Sequence, residues 1–426
     1  MSRWHDRVTS GSPPEERGIG VRFKIFTALA ALMMVGGVAA CGSDDSGSSG
    51  SGGSKSGEPL KVALIPPSSG ALAVFGADAN KAWEYAAKEA NANGGVDGHK
   101  VELVKSSTDA QPANTVRAAR KAATRDGAKF FGAIMTSPEH GALGAQLAGL
   151  NALNFNALGK DDALTGKQCS PNAFRAVQSN TMDVNAIAAT LEDIPAEKWA
   201  IQAVDYSTGH SAAEKFKAAA EKAGKEVVLE SFAPLGTTEF GSYITKLKGA
   251  DADGLFAVEY GADGVAFINQ GDQFKLFDKY KTVVGFNMVS EPLFEPLGDK
   301  IVGFYNNLGY DVGSDNPKNQ AFVEGYKKAN GSDPYYVVAD NYIAAQLLFE
   351  AVKKAKSVDP AKVKAALPGL SFESIEGPVT VGEDGQLVRP SHVGKVVKKG
   401  GGLGWEVVST TPGEETHPEP DPACNA

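Results

Sequence analysis

The chain has 426 residues, which is enough for two domains of ordinary size. Its hydrophobic fraction of 42% and charged fraction of 22% are typical of a globular protein. The net charge of −9 argues against nucleic acid as a partner, because binding phosphates needs a basic face, and against electrostatic docking on an anionic membrane.

The N-terminal region has the features of a secretory leader. Basic residues precede an apolar run at 25–40, IFTALAALMMVGGVAA, which is shorter than a membrane span. The run ends in small residues followed by Cys41, a pattern that resembles the bacterial lipoprotein signal. It predicts a signal peptide at 1–40 and lipidation of Cys41, so that membrane lipid anchors the chain outside the cytoplasm. The alternative is a cysteine that follows an ordinary signal peptide by chance. The Gly- and Ser-rich residues 41–59 then predict a flexible tether.

From Leu60 onward, short apolar runs alternate with amphipathic stretches. Strands are predicted at 61–65, 100–105, 129–134, 154–157, 198–204, 226–232, 254–260 and 281–286. Helices are predicted at 77–93, 111–126, 139–150, 180–192, 211–223, 239–248 and 262–271. The cycle restarts after Phe174, so this α/β rhythm predicts two doubly wound parallel-sheet lobes with helices on both faces. Three further helical stretches within 317–367 and short strands near 376–381, 393–398 and 404–408 complete the pattern.

Cys169 and Cys424 are the two cysteines beyond the leader. Outside the cytoplasm such a pair predicts a disulfide, which would attach the Pro-rich C-terminal tail to the body of the protein. Two buried or free thiols are the alternative. The chain's three cysteines and six histidines lack the spacing of metal ligands, so neither a metal nor another cofactor is expected.

Two motifs carry possible chemistry, and both are incomplete. Residues 209–213 read GHSAA, close to the G-x-S-x-G turn of serine hydrolases, but Ala213 occupies the last position. The simpler interpretation is a helix start with Ser211 near its cap. Gly-Lys pairs such as 159–160 lack the glycine spacing of a phosphate-binding loop. We therefore expect a binding protein rather than an enzyme.

Ligands of doubly wound folds bind beyond the carboxyl ends of the strands. The loops expected there carry hydroxyl groups, backbone N–H groups and aromatic rings, which suit a small polar molecule with an anionic end. The candidate ligand-binding residues are Ser69, Phe75, Thr136, Ser137, Ala157 and Gly159 in the first lobe and Tyr206, Thr208, Glu259, Tyr260 and Asn287 in the second. The alternative role of each hydroxyl is a local hydrogen bond in a helix cap or turn. The alternative role of each aromatic ring is packing within its loop.

Several segments resemble the branched-chain amino-acid type of periplasmic binding protein, the receptors of ABC importers. They are residues 68–121, FRAVQSN at 174–180, DYSTGHS at 205–211, EYGADGVAFINQ at 259–270, and 322–367 followed by EGPVTVGEDGQ at 376–386. The resemblance covers nearly all of 60–410, and its most specific parts are S-G-x-x-A-x-x-G and N-A-x-G-G-V-x-G. It implies a monomer that captures a small ligand and docks on a membrane permease.

The resemblance also implies two lobes joined by a three-strand hinge near 178–180, 306–310 and 370–377. The first lobe would comprise 60–179 and 308–372, the second 180–307 and 373–410, with a tail at 411–426. Phe75 would form the aromatic wall of the first lobe, and Thr136 or Ser137 would hold the ligand carboxylate with the backbone near Ala157 and Gly159. Thr208 and Tyr260 would close from the second lobe.

Two positions depart from the family's amino-acid binders. Gly159 aligns with a hydroxyl residue, and Asn287 aligns with the carboxylate that holds the ligand ammonium. A buried ammonium without a charged partner is unfavourable by several kcal/mol. Either Glu259 replaces that carboxylate, or the ligand is an amide, a urea-like compound or a carboxylic acid. We therefore expect an amino-acid-like, amide or small carboxylate ligand. The same clamp could also serve a membrane receptor as a ligand sensor.

Overall fold

The computed structural model describes residues 57–424. The predicted signal peptide, Cys41 and residues 41–56 of the predicted tether lie outside the described residues. Within 57–424, no helix combines the length and apolar character that crossing a bilayer requires.

Strands and helices alternate along the described chain, close to the predicted positions. The strands are β1 (Leu60–Leu64), β2 (Val101–Lys105), β3 (Phe130–Gly132), β4 (Leu153–Asn156), β5 (Ala173–Arg175), β6 (Lys198–Val204), β7 (Glu226–Ala233), β8 (Gly254–Val258), β9 (Thr282–Gly285), β10 (Tyr305–Leu308), β11 (Ser371–Ser374), β12 (Gly377–Val381), β13 (Leu387–Val388), β14 (Ser391–Lys399) and β15 (Gly402–Thr411). The helices are α1 (Ala73–Ala92), α2 (Pro112–Arg125), α3 (Ser137–Leu150), α4 (Asn180–Leu191), α5 (Ser207–Lys222), α6 (Gly241–Gly249), α7 (Gly261–Gln273), α8 (Phe294–Leu297), α9 (Pro317–Asn330), α10 (Tyr336–Ala355), α11 (Pro360–Ala366) and α12 (Gly413–Thr416). Short 3-10 helices lie at Asp162–Thr165, Phe277–Lys279, Glu291–Leu293 and Gly298–Ile301.

The first lobe, residues 57–176 and 310–388, contains a parallel sheet of order β2-β1-β3-β4-β5. Successive side chains of a strand point to opposite faces of the sheet. Val62 and Leu64 pack against α1 and α10 on one face, while Ala63 and Ile65 pack against α2 and α3 on the other. The sheet is therefore covered on both faces, which explains why β1 is apolar and buried at every position except Lys61.

The second lobe, residues 180–308 and 391–411, repeats this arrangement with the order β7-β6-β8-β9-β10-β14-β15. The strands from β7 to β10 are parallel, and β14 and β15 join the sheet antiparallel. Two separate clusters of buried apolar side chains cover its faces. The predicted fold class, two doubly wound parallel-sheet lobes, is confirmed.

Helix α1 begins earlier than the predicted 77–93 and takes in part of the expected loop. Gly76 lies in its first turns, where an added Cβ would be 2.1 Å from the carbonyl oxygen of Pro67. Only glycine permits this close contact between the helix and the end of β1. The helix start therefore holds Phe75 against the strand ends.

The chain passes between the lobes at 177–179, at Gly309 and at 389–390, and we call these three segments the hinge. The third passage differs from the predicted return at 373. Strands β11, β12 and β13 form a small sheet whose Val379, Val381 and Leu387 pack in the core of the first lobe. Their apolar side chains are thus buried before the chain returns to the second lobe at β14.

Arg389 connects the hinge segments to one another. Its guanidinium donates to the backbone oxygens of Ala176 at 3.2 Å and Gly309 at 2.9 Å. It also donates to the carboxylates of Asp340 at 2.7 Å and Glu376 at 2.6 Å, and the side chain is fully buried. Charge-assisted hydrogen bonds to four acceptors make this arginine a fixed part of the hinge.

The C-terminal tail, described here for 412–424, crosses between the lobes a further time. It leaves β15 in the second lobe, where the backbone oxygen of Thr416 accepts a hydrogen bond from Asn185 at 2.9 Å. It ends in the first lobe, where Cys424 is disulfide-bonded to Cys169 with the Cα atoms 5.6 Å apart. The disulfide thus attaches the tail to the lobe opposite the one that it leaves.

Candidate functional site

A small cleft lies between the carboxyl ends of the two parallel sheets. Its cavity volume is about 50 Å³. The first lobe lines it with the loop after β1, the start of α3, the loop after β4 and the start of α10, and the second lobe adds the loops after β6, β8 and β9. The lining residues are Leu72, Phe75, Met135, Thr136, Ser137, Leu158, Lys160, Tyr206, Thr208, Tyr260, Asn287, Tyr336 and Val337.

The lobes are in contact around this cleft. The hydroxyl oxygens of Ser137 and Thr208 are 2.7 Å apart, one from each lobe. The backbone N–H of Ala262 donates to the carbonyl oxygen of Ala71 at 3.4 Å. An added Cβ on Gly261 would lie 2.7 Å from that same oxygen. The arrangement is a closed clamp in which glycine allows the two backbones to approach.

Two predicted hydroxyl residues lie at the N-terminus of α3. Thr136 is the cap of this helix, and its hydroxyl and backbone N–H both donate to Glu139 at 2.9 Å. Burial raises the pKa of Glu139, and a hydrogen bond from Thr115 opposes that rise. Ser137 accepts a hydrogen bond from the backbone N–H of Asp161 at 3.1 Å. The hydroxyl of Thr136 is therefore already used in capping, and Ser137 is the one that reaches the second lobe.

Aromatic rings form much of the remaining wall. Phe75 and Tyr336 from the first lobe have ring centroids 6.2 Å apart and meet edge to face. Tyr206 and Tyr260 from the second lobe have hydroxyl oxygens 2.5 Å apart. Burial raises the pKa of both second-lobe tyrosines, so they remain protonated and neutral at physiological pH. These rings offer flat apolar surface to a ligand.

Lys160 is the charged side chain of the lining. Its ammonium donates to the carboxylate of Asp183 in α4 at 2.5 Å, so this ion pair connects the two lobes. The side chains of Lys160 and Asp183 are only 3% and 0% exposed. The ammonium also lies 5.9 Å from the centre of the Phe286 ring. Burial raises the pKa of Asp183 and the neighbouring ammonium opposes the rise.

The structure brings seven of the eleven predicted ligand-binding residues together in this lining: Phe75, Thr136, Ser137, Tyr206, Thr208, Tyr260 and Asn287. The other four lie elsewhere. Ser69 is exposed, Ala157 is buried in the core of the first lobe, and Gly159 donates its N–H to Asn156 at 2.7 Å. Glu259 lies beneath the cleft and accepts a hydrogen bond from Gln202 at 2.9 Å.

Glu259 is poorly suited to replace the family's carboxylate. It is 1% exposed, and burial raises its pKa from the ordinary range of a glutamate to about 8. The group is therefore largely a neutral acid at pH 7. Asn287, at the expected carboxylate position, has a left-handed backbone with φ 50° and accepts a hydrogen bond from the Asn307 amide at 3.1 Å. The described lining thus contains no ionised carboxylate.

Sequence reasoning missed six lining residues: Leu72, Met135, Leu158, Lys160, Tyr336 and Val337. Lys160 belongs to a Gly-Lys pair that the sequence offered only as a failed phosphate-loop motif. Its place directly after β4 is the signal that could have identified it, because that loop lies at the ligand edge of the sheet. Tyr336 had no such signal, since α10 reaches the cleft only through the tertiary fold.

A wider surface depression of about 720 Å³ shares no lining residue with the cleft. It lies between the C-terminal tail and the first lobe and is bordered by Lys364, Glu383, Pro420 and Cys424. The strand-end cleft remains the better candidate for a ligand site, because it combines buried aromatic groups with a buried cation. Among residues 57–424, no group of three or more acidic, His or Cys side chains is placed to hold a metal ion.

Comparisons with known proteins agree with this architecture. The chain is 28% identical over 334 residues to the Leu/Ile/Val-binding protein homolog 7 of Brucella melitensis, covering 74% of this chain and 82% of that protein. The solved solute-binding protein of an ABC transporter from Rhodopseudomonas palustris, in complex with 3,4-dihydroxybenzoic acid, matches with a TM-score of 0.78 and 25% identity. That match covers 83% of this chain and 98% of the other.

A further structure is the leucine-, isoleucine-, valine-, threonine- and alanine-binding protein of Brucella ovis in its closed conformation. It matches with a TM-score of 0.74 and 23% identity over 86% of this chain and 99% of that chain, which shows a shared fold. The family model described as periplasmic binding protein matches residues 59–401. Because this match spans most of the sequence and both lobes, the chain belongs to the periplasmic binding protein family.

Proposed function

We propose that this protein is the extracytoplasmic solute-binding component of an ABC importer and captures a small carboxylate in the cleft between its lobes. The observation that carries the proposal is the cleft at the strand ends, where seven residues expected from the sequence meet around one cavity. The family membership and the ABC-transporter relatives support the same role. The protein acts as a monomer and delivers its ligand to a membrane permease.

The lining favours a ligand that has an acidic group and a flat apolar body. Aromatic and aliphatic side chains supply most of the walls, and Lys160 supplies positive charge. The described lining has no carboxylate to hold an α-ammonium. The Rhodopseudomonas relative, with its bound dihydroxybenzoic acid, supports an aromatic acid. The Brucella relatives, named for leucine, isoleucine and valine, make these amino acids the necessary comparison.

Isothermal titration calorimetry of the purified protein tests this function. The panel is benzoate, 4-hydroxybenzoate, benzamide, leucine and valine. We expect saturable binding of one molecule per chain by at least one carboxylate. Mass spectrometry of small molecules released on denaturation gives a second readout that needs no guess about the ligand. Failure of every carboxylate in the panel to bind would contradict the proposal.

The ligand leaves the cleft chemically unchanged in this proposal. Ser211, the serine of the incomplete hydrolase motif, lies inside α5 rather than at its start, because the helix begins at Ser207. Its hydroxyl donates to the carboxylate of Asp162 at 3.0 Å, so its described partner is an acid rather than an imidazole. Incubation with each bound ligand followed by mass spectrometry should return the ligand unaltered, and a covalent or hydrolysed product would overturn this part.

Membrane anchoring through an acylated Cys41 completes the proposal. A lipid on this residue, followed by a flexible segment, would hold the folded lobes near a permease. Cys41→Ser should therefore move the protein from the membrane fraction to the soluble fraction of cells or their medium. Wild-type protein processed in parallel is the control. Equal membrane association of the two would contradict the anchor while leaving the binding function intact.

A further inference from the structure

The charged and uncharged polar groups of the cleft lining indicate which class of ligand it can bind. Five of the six lining hydroxyls already have a protein partner: Ser137 with Thr208, Tyr206 with Tyr260, and Thr136 with Glu139. The sixth, on Tyr336, makes no hydrogen bond with residues 57–424. These hydroxyls can exchange partners with a ligand, but none adds net charge. Thr136 and Ser137, which the family resemblance assigns to the ligand carboxylate, thus already form hydrogen bonds within the protein.

The ammonium of Lys160 differs from these groups. An ammonium has three N–H donors, and within residues 57–424 one acceptor, Asp183, takes one of them. The remaining donors belong to a side chain that lines the cleft and is 3% exposed. A buried charge gains most from a charged or strongly polar partner, because water does not reach it freely.

Asp183 contacts this ammonium from the second lobe and is not part of the cleft lining. It belongs to α4 of the second lobe, is fully buried and is absent from the lining, and its Oδ1 has no hydrogen-bond partner among the described residues. The carboxylate compensates the charge of the lysine. It also fixes the ammonium at the boundary between the lobes, so a ligand that meets Lys160 contacts a group held by both lobes.

We propose that Lys160, held in place by Asp183, is the residue that selects an anionic ligand without an ammonium group. This inference rests on the proposed function and specifies its ligand class as a small monocarboxylate. The ligand carboxylate accepts hydrogen bonds from the unused donors of Lys160, and its apolar body lies against Phe75 and Tyr336. A free α-amino acid is disfavoured because its ammonium would enter a cleft that already contains a cation and offers no ionised carboxylate.

The test compares benzoate with benzamide, which has nearly the same shape and no charge. Calorimetry on wild-type protein should show benzoate binding more tightly by about 10- to 100-fold, the range expected for hydrogen bonds to a charged group. In the double variant K160M/D183N, which removes both charges together, this preference should fall to less than about threefold. Because the comparison is a ratio within one protein, general damage to the cleft does not produce the effect.

A second variant keeps the inference testable if the double variant does not fold. D183N removes the buried counter-ion but keeps a side-chain oxygen that can accept the hydrogen bond from the ammonium, so Lys160 stays in position and the preference for benzoate over benzamide should be retained or should increase. Circular dichroism confirms that each variant is folded before titration. A retained preference in K160M/D183N, or its loss in D183N, would overturn the role of Lys160.

The outcomes separate this inference from the function on which it rests. If wild-type protein binds leucine and neither aromatic probe, the binding function stands and the exclusion of an ammonium is wrong. If it binds benzamide as tightly as benzoate, the binding cleft stands and the selection by Lys160 is wrong. If it binds no carboxylate of the panel, the proposed function itself fails, and the inference fails with it.

Discussion

The hinge and the cleft each contain a buried basic side chain, and the two side chains differ in how many hydrogen-bond acceptors the protein provides for them. Arg389 at the hinge donates to two carboxylates and two backbone oxygens and lines no part of the cleft. Lys160 at the cleft has one described acceptor and faces the cavity. A cation whose donors are used by the protein holds segments together, whereas one with unused donors is available to a ligand.

This difference has a physical reason. Removing one partner of a buried charge network leaves the other charges without solvent or counter-ion, so such a network resists change. A charge that retains unused donors in a small cavity gains energy when a ligand supplies the missing acceptor. Burial alone therefore does not distinguish a structural cation from a binding cation, but the count of its hydrogen-bond partners does.

The largest effect is expected at the hinge. Arg389→Met leaves Asp340 and Glu376 buried without their cation and should lower the free energy of unfolding by about 3–5 kcal/mol. Urea denaturation at pH 7 measures this change. The control is Arg117→Met, since Arg117 is exposed and its effect should stay within about 0.5 kcal/mol. Equal unfolding midpoints for the two variants would show that the buried hydrogen bonds of Arg389 contribute no more to stability than an exposed arginine does.

The tail provides a second test of segments that cross between the lobes. Reduction of the Cys169–Cys424 disulfide, which closes a sequence separation of 255 residues, should lower the free energy of unfolding by about 2–4 kcal/mol. Urea denaturation with and without reductant measures it. The double variant C169S/C424S should match the reduced protein and show no response to reductant. If reductant does not change the free energy of unfolding of the wild-type protein, the attachment of the tail adds little to its stability.

Glu259 differs from Glu376, because no cation among residues 57–424 is paired with it as Arg389 is paired with Glu376. Its pKa of about 8 lies above the ordinary value, so the folded state binds more protons than the unfolded state between about pH 4.5 and pH 8. The stability from this group is fully present below that window and is lost as pH rises through it.

The variant Glu259→Gln should abolish this part of the pH dependence. Wild-type protein should lose about 4 kcal/mol more of its free energy of unfolding than the variant between about pH 5 and pH 8.5, because each unit of pKa difference corresponds to about 1.4 kcal/mol. The substituted amide retains an oxygen that can accept the hydrogen bond from Gln202, so the substitution tests charge rather than shape. Urea denaturation at several pH values measures this dependence. If the free energy of unfolding of wild-type protein and variant changes in parallel with pH, Glu259 does not retain its proton in the folded state over this interval.

The smallest effect is expected where the lobes close over the cleft. Gly261→Ala places a Cβ 2.7 Å from the oxygen of Ala71 and strains a backbone with φ 64°. We expect benzoate affinity to fall by about tenfold, equivalent to about 1.4 kcal/mol, because the closed form is disfavoured. Calorimetry measures this loss. Gly249→Ala is the control, since a Cβ there meets no atom within 4 Å, and an equal affinity loss in both variants would argue against closure as the cause.

Much of the fold follows from local pattern. The eight strands and seven helices predicted before residue 290 all occur, and the three later helical stretches appear as α9, α10 and α11. Apolar runs of strand length, amphipathic periods and glycine stops determine such elements over a few turns of chain. The alternation of strands and helices also locates the loops at the carboxyl ends of the strands. Phe75, Ser137 and Thr208 were therefore expected to lie near one another, and all three line the cleft.

Other features depend on contacts between distant residues. The small sheet of β11, β12 and β13 joins the first lobe because its apolar face completes that core, which no local pattern indicates. The sequence places Lys160 in a strand-end loop, but it does not show how many acceptors surround the ammonium of Lys160 or the guanidinium of Arg389. A basic residue looks the same in the sequence whether its donors bind water, protein or ligand. Sequence by itself determined the elements, the two-lobed α/β class and the strand-end loops. Tertiary structure decided that Arg389 has four described acceptors and Lys160 one, because the number of partners around a buried charge is set by segments far apart in the chain.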